Sequence, residues 1–216
     1  MGGGVAEWYR STSWNPDSFE EHLARARPSR RPQYLRVQGL TFLETGKSEL
    51  QAVAIELLER LYADESENAP FEYPTAPEFL GQAYEAAGDF ERAAALYLEA
   101  IDRQRGARHR GNPEFRLGAM VVRETLSAHY RHTLEVLTDP ALDRHTSLDW
   151  HRFERARCVA FLAERLGQTA TARASAAQAL ELATRTKPQF PRHPRVGVIQ
   201  TDETLLNALR RIASDN

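Results

Sequence analysis

The chain has 216 residues, of which 42% are hydrophobic and 27% charged, and its 28 basic side chains nearly balance 30 acidic ones. A chain of this length and composition buries roughly 70% of its unfolded surface, which excludes a disordered protein. The net charge of -2 lacks the broad positive field of a general nucleic-acid binder, and a single cysteine excludes a disulfide framework. The start of the chain has no apolar core of a signal peptide, and no run of about 18 apolar residues occurs, so we expect a cytoplasmic protein that does not contact membranes.

Apolar residues recur at intervals of three and four along nearly the whole chain, which is the spacing of amphipathic helices. The clearest stretches are Leu50 to Leu61, Leu80 to Ala87 and Ala93 to Ile101. The sequence therefore predicts an all-α protein of about nine helices. Their predicted spans are 16–26, 32–45, 48–64, 76–87, 90–105, 113–137, 148–166, 168–185 and 202–213.

Residues that start and stop helices lie between these segments. Asparagine–proline pairs at 15–16 and 112–113 combine a capping side chain with a proline at the first helical position. Thr75 with Glu78 predicts a capping box. Three glycines separate two amphipathic segments each, as expected of helix C-termini in helix hairpins: Gly46, Gly88 and Gly167.

Small residues recur in similar settings at Gly39, Gly81, Gly118 and Ala160, separated by 42, 37 and 42 residues. A period of this size indicates stacked helix hairpins. The unit around Gly81 carries Leu80, Gly81, Tyr84, Gly88, Ala93, Tyr97, Ala100 and Ile101. This pattern resembles the tetratricopeptide repeat family.

The resemblance is strong for residues 77–101, fair for 153–180 and partial for 33–62. It implies a right-handed superhelix of antiparallel helix hairpins, an α-α solenoid, with a concave groove for a partner. The segment 113–137 has no turn glycine. One long helix and a hairpin both remain open there.

The domain organisation follows from the ends of the chain. Residues 1–31 contain Trp8, Tyr9, Trp14 and Phe19, and we expect them to form an aromatic cap with a short helix. Residues 32–186 form the repeat domain, and residues 187–216 form a proline-rich crossover with a C-terminal capping helix, all within a single structural domain. Whether the loop at 187–200 gates the groove is left open.

Candidate chemistry is sparse. His129 and His132 lie three residues apart, but no third metal ligand has a recognisable spacing. Cys158 lies in an apolar stretch of a helix, where cysteine usually acts as a small core residue. Phosphate-binding loops and nucleophile elbows are absent from the sequence. We therefore expect no metal site, no cofactor, no catalytic residues and no enzyme, and the acidic residues beside the arginine clusters disfavour nucleic acid.

The resemblance also implies which residues line the groove, because the first helix of each hairpin forms that surface. The implied set is Arg36, Glu44, Glu78, Gln82, Glu85, Arg123, Glu154, Arg157, Phe161 and Arg165. The lysine and asparagine clamp of chaperone-binding members is missing, which disfavours that role. We expect a noncatalytic scaffold or adaptor that binds a protein or peptide. The alternative is a regulator or sensor that binds a small molecule or signalling peptide in the groove. A homodimer remains open.

Overall fold

A computed structural model describes residues 8–63, 72–107, 110–145, 148–185, 188–190, 192 and 198–214. This part of the chain is all-α, as predicted, with no strand element, and none of its helices has the length and apolar character needed to cross a bilayer. Eight of the nine predicted helices lie within two residues of the observed bounds. In chain order the helices are α1 Pro16–Arg25, α2 Arg31–Glu44, α3 Ser48–Ala63, α4 Ala76–Ala86, α5 Phe90–Gln104, α6 Pro113–Arg123, α7 Tyr130–Thr138, α8 Asp149–Arg165, α9 Thr169–Ala183 and α10 Glu203–Ser214.

The chain divides into two compact units, Met1–Pro113 and Glu114–Asn216. Three pairs of helices, α2 with α3, α4 with α5 and α8 with α9, are each joined by a turn of three residues and pack against each other. A turn this short requires the paired helices to run antiparallel. The helix hairpins are therefore present, whereas the superhelix, the single domain and the boundaries at residues 31 and 186 stay predictions.

In the first unit, each hairpin closes where a glycine of its first helix meets a large side chain of its second helix. A Cβ atom added to Gly39 on α2 would lie 2.8 Å from Cγ of Leu58 on α3. A Cβ atom added to Gly81 on α4 would lie 2.9 Å from Cε1 of Tyr97 on α5. Both distances are shorter than a carbon–carbon contact, so only a residue without a Cβ atom lets these helices approach so closely.

The turns of these hairpins follow the predicted helix-end chemistry. Gly46 and Gly88 have φ angles of 65° and 80°, the left-handed conformation that ends a helix at low cost for glycine. Asp89 then starts α5, because its side chain accepts a hydrogen bond from the backbone N–H of Arg92 at 3.2 Å. A helix stop and a helix start thus occupy two adjacent residues.

The aromatic residues near the start of the described chain pack on the first hairpin. The ring centroids of Trp8 and Tyr34 are 4.9 Å apart, and those of Trp14 and Phe42 are 5.5 Å apart. Tyr34 and Phe42 belong to α2, and Phe19 of α1 is buried in the same cluster. The rings therefore cover α2, which is the contact that the predicted cap requires.

A buried amide also fastens this segment to α2. Gln38 has no exposed surface, and its Nε2 donates to the carbonyl oxygen of Ser11 at 2.7 Å. Its Oε1 accepts from the backbone N–H of Ser11 at 3.1 Å. One side chain thus satisfies both backbone groups of a single residue 27 positions away.

In the second unit, the segment 113–137 forms two helices instead of the single helix span predicted for it. The helix α6 ends at Arg123, and Thr125 follows in the left-handed conformation with a φ of 58°. The helix α7 then packs beside α6, since a Cβ atom on Gly118 would lie 2.9 Å from Cδ1 of Leu137. The hairpin alternative is the one observed, and the contact of Gly118 repeats those of Gly39 and Gly81.

The rest of the second unit packs around α9, which contacts both α8 and α10. The helix α9 presents a row of small residues, Ala172, Ala176 and Ala179, all buried. Small side chains permit the close approach of two helices. At the start of α8, the backbone N–H of Asp149 donates to Oε1 of Gln189, which ties the first residues of the proline-rich segment to α8. Half of the predicted loop 187–200 lies outside the described residues, so its proposed gating of the groove stays open.

Candidate partner-binding site

Three of the predicted site residues lie together in one row on α8, within the second unit. Arg157, Phe161 and Arg165 are spaced by four residues, so their side chains follow one face of the helix. The small residues Ala156 and Ala160 are buried on another face. We call the row of Arg157, Phe161 and Arg165 the α8 stripe.

Arg157 is largely buried at one end of the α8 stripe, with 16% of its side chain exposed. Its Nη2 donates to Oε2 of Glu154, one helical turn earlier, at 2.5 Å. Its Nε is buried and has no hydrogen-bond partner among the described residues. A buried donor without a partner costs about 1–3 kcal/mol, so Arg157 occupies this place at an energetic cost.

Arg165 is held in a fixed position at the other end of the stripe. Its Nη1 donates to the phenolic oxygen of Tyr130 at 2.7 Å and to the carbonyl oxygen of Val122 at 3.2 Å. The guanidinium also stacks over the Tyr130 ring, 5.2 Å from its centroid. No carboxylate of the described chain pairs with Arg165, so its charge is not neutralised locally.

The surroundings of the α8 stripe are moderately basic. Arg123, at the end of α6, pairs with Glu124 at 2.6 Å and acts electrostatically on Arg157. Phe161, between the two stripe arginines, is half-buried. The second unit therefore brings together the five site residues predicted within it, and the hydrogen bonds of Arg157 and Arg165 leave some of their guanidinium N–H groups unused.

Two of the predicted site residues in the first unit, Arg36 and Glu85, already contact other side chains of the chain. Arg36 stacks over Phe79, 5.5 Å from the ring centroid, with its Nε 3.8 Å from a carboxylate oxygen of Glu72. Glu85 accepts a hydrogen bond from the hydroxyl of Tyr97. Gln82 is half-buried, and only Glu44, at the end of α2, is fully exposed. These residues offer a partner less charge than the sequence suggests.

Glu78 corrects the predicted set most clearly, because it is buried with 3% exposure instead of lining an open surface. Its carboxylate accepts from Nε2 of Gln104 at 3.1 Å and from the backbone N–H of Asn112 at 3.0 Å. The capping box is also wrong, since the side chain of Thr75 makes no capping hydrogen bond. Glu78 therefore holds the segment after α5 in place and does not belong to the candidate surface.

The same cluster explains a glycine in that connection. The backbone N–H of Gly111 donates to Oε1 of Gln104 at 2.7 Å. A Cβ atom at this position would lie 1.7 Å from Oε2 of Glu78, so a larger residue would displace this carboxylate from its hydrogen bonds. The segment at 110–112 is therefore packed against a buried carboxylate.

The structure adds one surface that is not among the predicted sites, a cleft of about 490 Å³ between α7, α8 and α9. Arg155 forms one wall, and its Nε donates to the carbonyl oxygen of Leu137 at the end of α7. Arg155 thereby satisfies a free helix carbonyl and is committed to the fold. The lining residues are Leu137, Thr138, Asp143, Arg152, Arg155, Ala156, Val159, Thr171, Ser175 and Gln178.

A sequence signal for this cleft exists. Thr171, Ser175 and Gln178 recur at helical spacing on α9, on the face next to the row of buried alanines. Polar residues on one side of an alanine-rich helix indicate a face that is open to water or ligand. Tyr130, which positions Arg165, offers no comparable signal, because an aromatic residue on an amphipathic helix usually belongs to the core.

The residues considered for catalysis are placed as follows. Cys158 is fully buried, and burial raises the pKa of its thiol to about 12. His129 lies in a 3-10 turn before α7 and His132 on α7 itself, so they do not share one helix. Within the described ranges no group of three or more His, Cys, Asp and Glu is placed to hold a metal ion. The expectations of no metal, cofactor or catalysis stay predictions.

Comparison with known proteins gives no match: no family model fits the chain, and no curated sequence or solved structure is significantly similar to it. The tetratricopeptide resemblance therefore rests on the residues of this chain alone. The structure itself shows a repeated contact between a glycine and a large side chain of the next helix, at Gly39, Gly81 and Gly118.

Proposed function

We propose that this protein is a noncatalytic interaction module of the tetratricopeptide-like kind, which binds a peptide segment of a partner protein on the α8 stripe. The observation that carries the proposal is a half-buried aromatic residue between two arginines whose guanidinium groups keep unused donors. Arginine and aromatic residues dominate the few positions that supply most of the binding energy in protein interfaces.

The surroundings of the stripe support this role. Arg165 is fixed by Tyr130 and Val122, and Arg157 is largely buried, so neither side chain loses much conformational freedom when a partner binds. An arginine that is already ordered loses less conformational entropy on binding a partner than a mobile surface arginine does. The stripe lies entirely within the second unit.

Selection of random peptides displayed on phage, with the full-length protein as bait, tests this function. Enriched peptides would be synthesised, and their affinities compared for wild type, Arg157→Glu, Arg165→Glu and Arg131→Glu. Arg131 is a matched control, since it is an exposed arginine of α7 in the same unit. We expect a loss of about tenfold or more with the first two variants and no change with the third.

Two outcomes contradict the proposal. One is a selection in which no peptide is enriched above the level found with an unrelated bait. The other is a set of enriched peptides that bind all four proteins equally well. Circular dichroism of each variant shows whether it is folded, and the exposed position of Arg165 makes its replacement the safer of the two.

A second candidate function is binding of a small molecule in the cleft between α7, α8 and α9. Its volume of about 490 Å³ lies within the usual range of ligand pockets, and its floor of Leu137, Ala156 and Val159 is apolar. Thermal shift screening of a metabolite library would detect a ligand. Ser175→Trp, which fills the cleft, should abolish the shift, whereas Trp at the exposed Ala174 on the same helix should not.

A further inference from the structure

Building on the proposed role of the α8 stripe, we propose the chemistry of its partner: an extended peptide segment with the pattern acidic–x–apolar–x–acidic. The two acidic side chains pair with Arg157 and Arg165, and the apolar side chain between them packs on Phe161. The pattern follows from the spacing of the stripe, the donors it leaves unused and the size of its apolar part.

The spacing of the stripe fixes the spacing of the ligand. Residues four apart on a helix are separated by about 6 Å along its axis, so Arg157 and Arg165 lie about 12 Å apart with Phe161 midway. In an extended chain, alternate residues share one face and are about 6.6 Å apart. Positions one, three and five of an extended peptide therefore match the three stripe residues in order.

The donors of the stripe fix the charge of the ligand. Arg157 donates through Nη2 to Glu154 and its Nε is buried, which leaves Nη1 for a ligand. Arg165 donates through Nη1 only, to a hydroxyl and a carbonyl oxygen, which leaves Nε and Nη2 for a ligand. An acidic side chain is the complementary group at each end, because it can pair with Arg165 through two parallel N–H bonds and accept one from Nη1 of Arg157.

The apolar part of the stripe decides between an extended and a helical ligand. A helix that docks in a groove buries a whole apolar face, with anchors at three or four positions. The stripe presents one half-buried phenylalanine flanked by charges, which accommodates a single apolar side chain. An extended segment needs only that one anchor, so it is the better fit.

The charge around the stripe also favours a peptide over nucleic acid. Glu154 lies one turn from Arg157, and Glu124 pairs with the neighbouring Arg123 at 2.6 Å. A continuous line of phosphates would bring several negative charges near these carboxylates, whereas two separated acidic side chains bring only one of them near Glu154. A single-stranded oligonucleotide therefore serves as a competing probe in the test.

Fluorescence anisotropy with labelled peptides of about twelve residues tests the pattern on the full-length protein. The central sequence Asp-Ser-Leu-Ser-Asp, between glycine and serine flanks, carries the proposed motif. Three peptides serve as controls: Asp-Asp-Leu-Ser-Ser, which has the same composition with different spacing, Asp-Ser-Ser-Ser-Asp, which lacks the anchor, and a helix-forming peptide with its acidic residues eight positions apart. We expect the motif to bind at least about tenfold more tightly than each control.

A charge exchange identifies the contacts directly. Arg165→Glu should weaken binding of the motif about tenfold and restore binding of a peptide in which one terminal Asp is Lys. Because the direction of the peptide is not fixed by the spacing, both lysine peptides are measured, and only one of them should recover. Arg131→Glu should change neither affinity, and raising the salt concentration should weaken the motif peptide.

The outcomes separate this inference from the proposed function. Equal affinity of the motif and its respaced control, or tighter binding of the helix-spaced peptide or of the oligonucleotide, overturns the inference. If phage selection nevertheless yields other peptides whose binding depends on Arg157 and Arg165, the proposed function stands and only the ligand chemistry is wrong. If no selected peptide depends on the stripe, both proposals fail.

Discussion

Replacing Gly81 with alanine tests whether the hairpins close by contact between a glycine and a large side chain. The new Cβ atom would lie 2.9 Å from Cε1 and 3.0 Å from Cδ1 of Tyr97. An undisturbed carbon contact needs about 3.5 Å or more. Tyr97 has no exposed surface, and its hydroxyl is bonded to Glu85, so the ring has little room to move away.

The expected magnitude combines two opposing terms. Alanine is favoured over glycine inside a helix by about 1 kcal/mol, whereas overpacking a buried contact costs about 1–3 kcal/mol. The lack of free space around Tyr97 places the cost in the upper part of that range. We expect a net loss of about 1–2 kcal/mol in the free energy of unfolding of the first unit.

Urea denaturation followed by tryptophan fluorescence measures this loss for the first unit alone. Trp8 and Trp14 lie in that unit, and Trp150→Phe removes the single tryptophan of the second. With a slope of about 2 kcal/mol per molar urea, the loss lowers the midpoint by about 0.5–1 M. The same measurement on a Tyr97→Leu background should show a smaller effect of Gly81→Ala, since the smaller leucine side chain leaves room for the new Cβ atom.

The result that would refute this reasoning is an unchanged or raised midpoint for Gly81→Ala. That outcome means that helix propensity outweighs the contact, and that the ring of Tyr97 moves without cost. An equal loss with the native tyrosine and in the Tyr97→Leu background would place the cause of destabilisation elsewhere on α4.

Three further predictions concern the buried groups and the absence of metal chemistry. Gly111→Ala should destabilise the first unit through its clash with Glu78, 1.7 Å from the new Cβ atom, and a Glu78→Ala background should remove most of that additional loss in a urea melt. Burial raises the pKa of Cys158 from its usual value near 9 to about 12, so the folded chain favours the neutral thiol. This contribution to stability is complete below pH 9 and is lost as the pH rises towards 12, by up to about 1.4 kcal/mol per pH unit, and Cys158→Ala should flatten the decline. Elemental analysis of purified protein should find no stoichiometric transition metal, and slow reaction of Cys158 with a thiol reagent at neutral pH should accompany it; bound zinc or rapid labelling would contradict both expectations.

The fold could be predicted from the sequence where residues close together in the chain determine the structure. Gly88 and Asp89 end one helix and begin the next through their own backbone and side-chain preferences, so the hairpin around Gly81 could be predicted to within a residue or two. The contacts of Gly39, Gly81 and Gly118 could also be anticipated, because small residues at a regular period indicate close helix packing.

The remaining features depend on contacts between distant parts of the chain. Glu78 looks like a surface carboxylate on its own helix, and its burial is decided by Asn112, 34 residues later. The break after α6 uses Thr125 in a left-handed conformation that threonine seldom adopts, so no glycine marks it. On α8 the row of Arg157, Phe161 and Arg165 can be predicted from its spacing of four residues, whereas the support of Arg165 by Tyr130 cannot.

The attachment of Ser11 to Gln38 has a practical consequence for any shortened form of the chain. In the folded protein the side chain of Gln38 pairs with both the N–H and the carbonyl group of Ser11, as a neighbouring β-strand would. A chain trimmed beyond Ser11 leaves a carboxamide inside an apolar cluster, at a cost of about 1–3 kcal/mol, and uncovers the rings of Phe19 and Tyr34, which Trp8 contacts. Removal of these few residues should therefore lower the stability of the protein and promote its aggregation, although every helix hairpin remains in the sequence.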